Sequence, residues 1–132
     1  MLLRSAWRAR RGWFLAGLAV FVAAGLFAVI RGSASVPVER SVTLVAKDVK
    51  FNGTNPSITV KVGERVTMVL ENHEQDPIPH NLQVTGFGVT MEKPVQPGRK
   101  ATLTFSADRP GTYIYQCPLH PGSMDGRLIV EP

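Results

Sequence analysis

Tyr113-Ile114-Tyr115-Gln116-Cys117-Pro118-Leu119-His120-Pro121-Gly122-Ser123-Met124-Asp125-Gly126, followed by the apolar run Leu128-Ile129-Val130, is the stretch on which the reading of this chain turns. Tyr113, Tyr115 and Cys117 alternate, so they share one face of an expected strand. After Cys117 come two prolines and a glycine, the marks of a loop returning to a final strand. In such a loop, residues three and seven apart can converge on one point, which a continuous strand forbids. Cys117, His120 and Met124 are therefore candidates for a common site. A second imidazole lies upstream in Pro79-His80-Asn81, at the start of another expected strand. One thiolate, two imidazoles and one thioether form a donor set that suits copper, with the thioether as a long, weak axial contact, and such a site passes single electrons.

Rival metal sites fit worse. A structural zinc site takes four Cys or His ligands, and a thioether is a poor donor to zinc. Cys117 is the only cysteine, so a binuclear copper centre that needs two thiolates is excluded, as is an internal disulfide. Three histidines in all are too few for a trinuclear copper cluster. The third, His73, lies in the polar loop 72–79 with no partner motif and is expected at the surface. No paired carboxylates, serine triad or phosphate-cradling glycine loop suggests other catalysis, so no enzyme is expected.

The rest of the chain from residue 41 is a succession of short β-rich segments. Strands are expected at 41–51, 58–62, 65–71, 81–85, 100–106, 112–117 and 127–131, with an irregular edge at 90–98 interrupted by Pro94 and Pro97. Asn52-Gly53-Thr54-Asn55-Pro56 reads as a turn. Ile58, Val60 and Val62 share a face, as do Val66, Met68 and Leu70, while Leu103 and Phe105 point inward. This pattern predicts an all-β fold, a two-sheet antiparallel Greek-key sandwich of seven to eight strands. Pro110-Gly111-Thr112-Tyr113 has the form of a tyrosine corner, and core packing is the expected role of Tyr113 and Tyr115.

The formal charge of +5 suggests a nucleic-acid binder until the charges are located. Arg4, Arg8, Arg10, Arg11 and Arg31 flank an apolar segment, whereas residues from 36 onward hold ten basic and ten acidic side chains. The domain is thus formally neutral, and nucleic acid is rejected as a partner. Residues 12–30 carry no charge and as a helix would span roughly 28 Å, close to the hydrocarbon core of a bilayer. Four arginines before it and one after place the N-terminus in the cytoplasm and the rest outside. The organisation expected is a basic cytoplasmic N-terminus (1–11), a transmembrane anchor (12–30), a tether (31–40) and a copper domain (41–132). Ser33 and Ser35 also permit cleavage before Val36, and Arg10-Arg11 resembles an export signal. All these readings put the domain on the periplasmic or lumenal side of the cell membrane.

Pro79-His80-Asn81, Tyr113-x-Tyr115-x-Cys117-x-x-His120 and Met124-x-Gly126 with the strand behind it resemble the small cupredoxins, nearest to plastocyanins and amicyanins. The resemblance covers roughly residues 41–131. Three residues separate His120 from Met124, one fewer than in plastocyanins and one more than in amicyanins. It implies one type 1 copper ion with His80, Cys117 and His120 near a trigonal plane and Met124 as axial ligand. It further implies that Asn81 stabilises the thiolate and joins the two ligand segments. The function expected is a membrane-tethered carrier of single electrons between redox partners. Two other readings stand beside it: a copper carrier or reservoir supplying an extracytoplasmic oxidase, and a fixed copper subunit of a larger membrane redox complex.

Overall fold

Alternation of inward apolar and outward polar residues builds nine strands within residues 35–132, the part of the chain that the computed structural model describes. The basic N-terminus, the apolar segment 12–30 and residues 31–34 of the tether lie outside the described residues. In chain order the strands are β1 (Glu39–Lys47), β2 (Lys50–Phe51), β3 (Ile58–Lys61), β4 (Arg65–Asn72), β5 (Gln83–Val84), β6 (Val89–Thr90), β7 (Lys100–Ser106), β8 (Gly111–Gln116) and β9 (Asp125–Glu131). One sheet has the order β2-β1-β4-β7 and the other β3-β9-β8-β5-β6. Val66, Met68 and Leu70 of β4 face Tyr115, Leu128 and Val130 of the second sheet across a common buried core.

The sheets are mixed, which corrects the antiparallel expectation. β1 runs parallel to β4, and β3 parallel to β9. Parallel neighbours need a crossover between them. Here β3, placed in the opposite sheet, lies on the crossover that takes the chain from β1 to β4. The strand count exceeds the seven to eight expected, because the segment 41–51 forms two strands, β1 and β2.

The largest local difference lies in residues 41–51, read from sequence as one strand. They form a hairpin whose central residues, Asp48 and Val49, take φ of 51° and 55°. A valine in the left-handed region costs roughly 1–2 kcal/mol, and Asp48 before it is the one turn-forming residue at the tip. Two smaller corrections follow the same logic. Val62 lies past the end of β3 and is exposed rather than sharing the inward face of Ile58 and Val60. β1 begins at Glu39 and so takes the last two residues of the expected tether. The tyrosine corner forms as expected: Tyr113 Oη donates to the carbonyl of Arg109 at 3.1 Å.

Tyr115 anchors the second sheet. Its ring is wholly buried against Phe51, and its hydroxyl donates to the carbonyl of Pro56. Burial pushes the phenol up to about 12, so it remains a donor under ordinary conditions. Gly126 lies directly beneath the ring: a Cβ there would fall 2.1 Å from Tyr115 Cζ. That approach explains why a glycine follows Met124 at this spacing.

Candidate metal centre

Strand β8 delivers Cys117 to the end of the sandwich, and the chain then folds into two successive tight turns. His120 N–H donates to the carbonyl of Cys117 at 3.0 Å, and Ser123 N–H to that of His120 at 3.2 Å. Cys117 N–H in turn donates to the carbonyl of Met124 at 2.9 Å, which closes the loop. This double turn brings the backbone at residues 117, 120 and 124 together. Met124 is completely buried, and its N–H donates to the His120 carbonyl at 3.3 Å. The loop is braced from outside by the Asn52–Pro56 turn, whose Asn55 Nδ2 donates to the Ser123 carbonyl at 2.8 Å, and by β2, whose Lys50 Nζ does so at 3.2 Å.

His80 arrives from the opposite direction. A bridge to Val95 holds its backbone, with N–H···O distances of 3.1 and 2.6 Å. Its ring is fully buried and tilted against that of His120, the centroids 4.8 Å apart. One donor atom each from His80, Cys117 and His120 lies within 4.8 Å of the others. Cys117 Sγ is 4.0 Å from His80 Nδ1 and 3.5 Å from His120 Nδ1.

These distances fit a bound metal. Nitrogen and sulfur donors about 2.0–2.3 Å from one ion in a trigonal plane stand roughly 3.8 Å from each other. The two sulfur–nitrogen separations bracket that value, and all three donor atoms lie within 4.8 Å of one another. The donor set of two imidazoles, a thiolate and a buried thioether is that of a type 1 copper site. Burial, followed by the neighbouring His80, holds the His120 imidazole below its ordinary value, with Glu74 partly opposing. A neutral ring is the form a metal takes up.

Asn81 ties the two ligand segments together through its backbone. Its N–H points at Cys117 Sγ from 3.3 Å, where a thiolate accepts it. Its side chain does other work, accepting from Leu82 N–H at 2.7 Å and donating to the Met91 carbonyl at 3.3 Å. His73 stays at the surface, 3.2 Å from Glu71 and away from the cluster.

Two contributors were invisible to sequence reasoning. Glu74 is buried with its Oε1 2.9 Å from His80 Nε2. Burial raises its carboxyl, but hydrogen bonds from Val49 N–H, His80 and Asp48 N–H outweigh this and leave it below the usual carboxylate range. In sequence it is one acid in the polar loop Asn-His-Glu-Gln-Asp-Pro, a composition that predicts solvent. Asn55 was legible as part of a turn, but not as a brace for a loop 68 residues away.

The model of the cupredoxin-like domain matches residues 18–130. The copper-containing nitrite reductase of Alcaligenes xylosoxydans xylosoxydans is 33% identical over 131 aligned residues, covering 84% of this chain and 39% of that protein. Among solved structures, the nitrite reductase of Thermus scotoductus SA-01 aligns with a TM-score of 0.61 at 26% identity, over 72% of this chain and 28% of its own. Auracyanin from Roseiflexus castenholzii aligns with a TM-score of 0.59 at 20% identity, over 72% of this chain and 99% of its own, a likeness of fold. The chain thus spans less than half the length of either reductase and nearly all of the auracyanin. With the domain model covering the whole sandwich and the donor cluster standing at its end, this chain belongs to the cupredoxin-like domain family.

Proposed function

We propose that this protein is a membrane-tethered type 1 blue copper protein that carries single electrons between redox partners outside the cytoplasm. The observation that carries the reading is the convergence of His80 Nδ1, Cys117 Sγ and His120 Nδ1 at the end of the sandwich, with His120 partly exposed there. His80, Cys117, His120 and Met124 would hold the copper. Copper held by this set supplies one-electron redox chemistry. The chain supplies a frame that need not move: a buried imidazole, a double turn and a backbone N–H already aimed at the sulfur.

The rim around His120 is suited to brief docking. Leu119, Pro121 and Gly122 are exposed, and no charged residue stands between Cys117 and Met124. Weak redox encounters use small interfaces of this kind. The partners are a redox protein donor and acceptor. Full burial of Cys117 argues for retention of the metal over its delivery to an oxidase. Among the described residues, His80, Cys117 and His120 are the one group of three or more side chains placed to hold a metal. In this reading the chain relays electrons, while relatives named for nitrite reduction contain a similar domain within a longer protein. Residues 12–30 would anchor the domain to the cell membrane, free to diffuse or fixed in a larger complex.

Copper(II) added to the full chain in detergent should give an intense blue thiolate-to-copper absorption that bleaches with one electron and returns on oxidation. A colourless product would refute the assignment. Met124→Leu should retain the colour and shift the equilibrium toward Cu(I) by about tenfold, or about 59 mV for one electron.

A further inference from the structure

Glu74 stands where three segments of the chain meet. Its side chain is 5% exposed. Oε1 accepts Val49 N–H at 2.9 Å and faces His80 Nε2 at 2.9 Å, while Oε2 accepts Asp48 N–H at 3.1 Å. Asp48 and Val49 are the two left-handed residues at the tip of the β1–β2 hairpin. Their N–H groups point inward because that conformation turns them there, and a carboxylate is the acceptor they find.

Glu74 is itself held in place. Its N–H donates to Asn72 Oδ1 at 3.0 Å, and Asn72 Nδ2 donates to the carbonyls of Ile78 and Val95. The carbonyl of Val95 also accepts the backbone N–H of His80. The buried amide of Asn72 thus fixes the loop on either side of both Glu74 and the imidazole.

This bonding leaves little freedom to the ring. Both carboxylate oxygens already receive backbone N–H donors, so Glu74 meets His80 as an acceptor and His80 Nε2 must carry the hydrogen. The lone pair is then on Nδ1, the nitrogen 4.0 Å from Cys117 Sγ. A carboxylate behind a ligating imidazole orients the ring and raises its basicity. It also places a negative charge one ring away from the metal, in a buried setting where solvent screens weakly.

We propose that Glu74 is a positioning residue for His80: its carboxylate joins the β1–β2 turn to the imidazole, presents Nδ1 to the metal and biases the site toward Cu(II). This rests on His80 being a copper ligand, as argued above. The bias distinguishes Glu74 from a purely structural acceptor, which would orient the ring equally well without adding charge.

Glu74→Gln in the full chain tests the bias, because the amide keeps the shape, removes the charge and, with its oxygen toward Val49 and His80, gives up only the bond from Asp48 N–H. The variant should still bind copper and turn blue, with the Cu(II) to Cu(I) affinity ratio lowered about tenfold, or about 59 mV for one electron. Glu74→Asp, which restores the charge on a shorter arm, should recover at least threefold of that loss. A ratio within twofold of the original chain in Glu74→Gln would overturn the electrostatic part. Nitrogen-15 NMR of the histidine rings in the metal-free original chain tests the positioning directly. His80 should be a single tautomer with hydrogen on Nε2, and Glu74→Ala should mix the tautomers. A mixed His80 in the original chain would overturn the positioning role. That readout needs no copper, so it remains decisive even if the blue colour never appears, an outcome that would refute only the copper assignment.

Discussion

His80 and His120 offer the same chemical group to the same sulfur, yet the molecule holds them by different means. His80 is wholly buried, bridged through its backbone to Val95 and backed at Nε2 by Glu74. His120 sits in a turn between Cys117 and Met124, partly open to solvent, and its loop depends on Asn55 and Lys50 for support. One ligand is part of the core and the other is part of the surface. A redox site profits from both arrangements. In the function proposed above, the buried ligand would set the geometry and the exposed one would give a partner a short path to the metal.

The contrast is broken most decisively by deleting each ring in turn. His120→Gly should leave a gap open to solvent that free imidazole at millimolar concentration can fill, restoring the blue colour. His80→Gly should stay colourless with the same addition, because its gap is closed and contains a carboxylate left without its partner. Optical titration of both variants with imidazole checks this. Equal rescue of the two would remove the distinction between core and surface ligands.

Gly126→Ala probes the loop side at its root. Its Cβ would meet the Tyr115 ring at 2.1 Å, and that ring is held by Phe51 and by its bond to Pro56. Either the ring or β9 must shift, at a cost of about 3 kcal/mol, readable as a lower denaturation midpoint in the metal-free protein. An unchanged midpoint would show that Tyr115 is free to move and that the loop is not anchored through it.

Asn55→Ala gives the smallest effect. It removes the side-chain bonds to Phe51 N–H and to the Ser123 carbonyl and leaves alanine at φ of 51°. A loss of about 1–2 kcal/mol is expected, together with copper release a few times faster than from the original chain. Stopped-flow transfer of copper to a chelator measures the rate. If stability falls while release is unaffected, the turn supports the fold but not the ligand loop.

The donors were legible because their chemistry is rare and their spacing short. Cys117, His120 and Met124 lie within eight residues, and two tight turns suffice to gather them. Alternation likewise exposed β4, β7 and β8, where a period of two separates core from solvent. The same rule failed at 41–51, where β-branched Val49 sits at a hairpin tip. That tip is stabilised by Glu74, an acceptor 25 residues further on. Parallel pairing was also hidden, since no local pattern tells which neighbour a strand will choose.

By itself, the order of residues settled which atoms offer themselves to a metal, how long the loop between them is, and which faces of the strands seek the core. Those are properties of composition and short-range spacing. Only the tertiary structure decided that the first sheet pairs β1 beside β4, that an acid from a polar loop is buried, and that it stands behind His80. Such contacts join residues far apart in the chain, and their partners are chosen by the packing of two sheets as a whole.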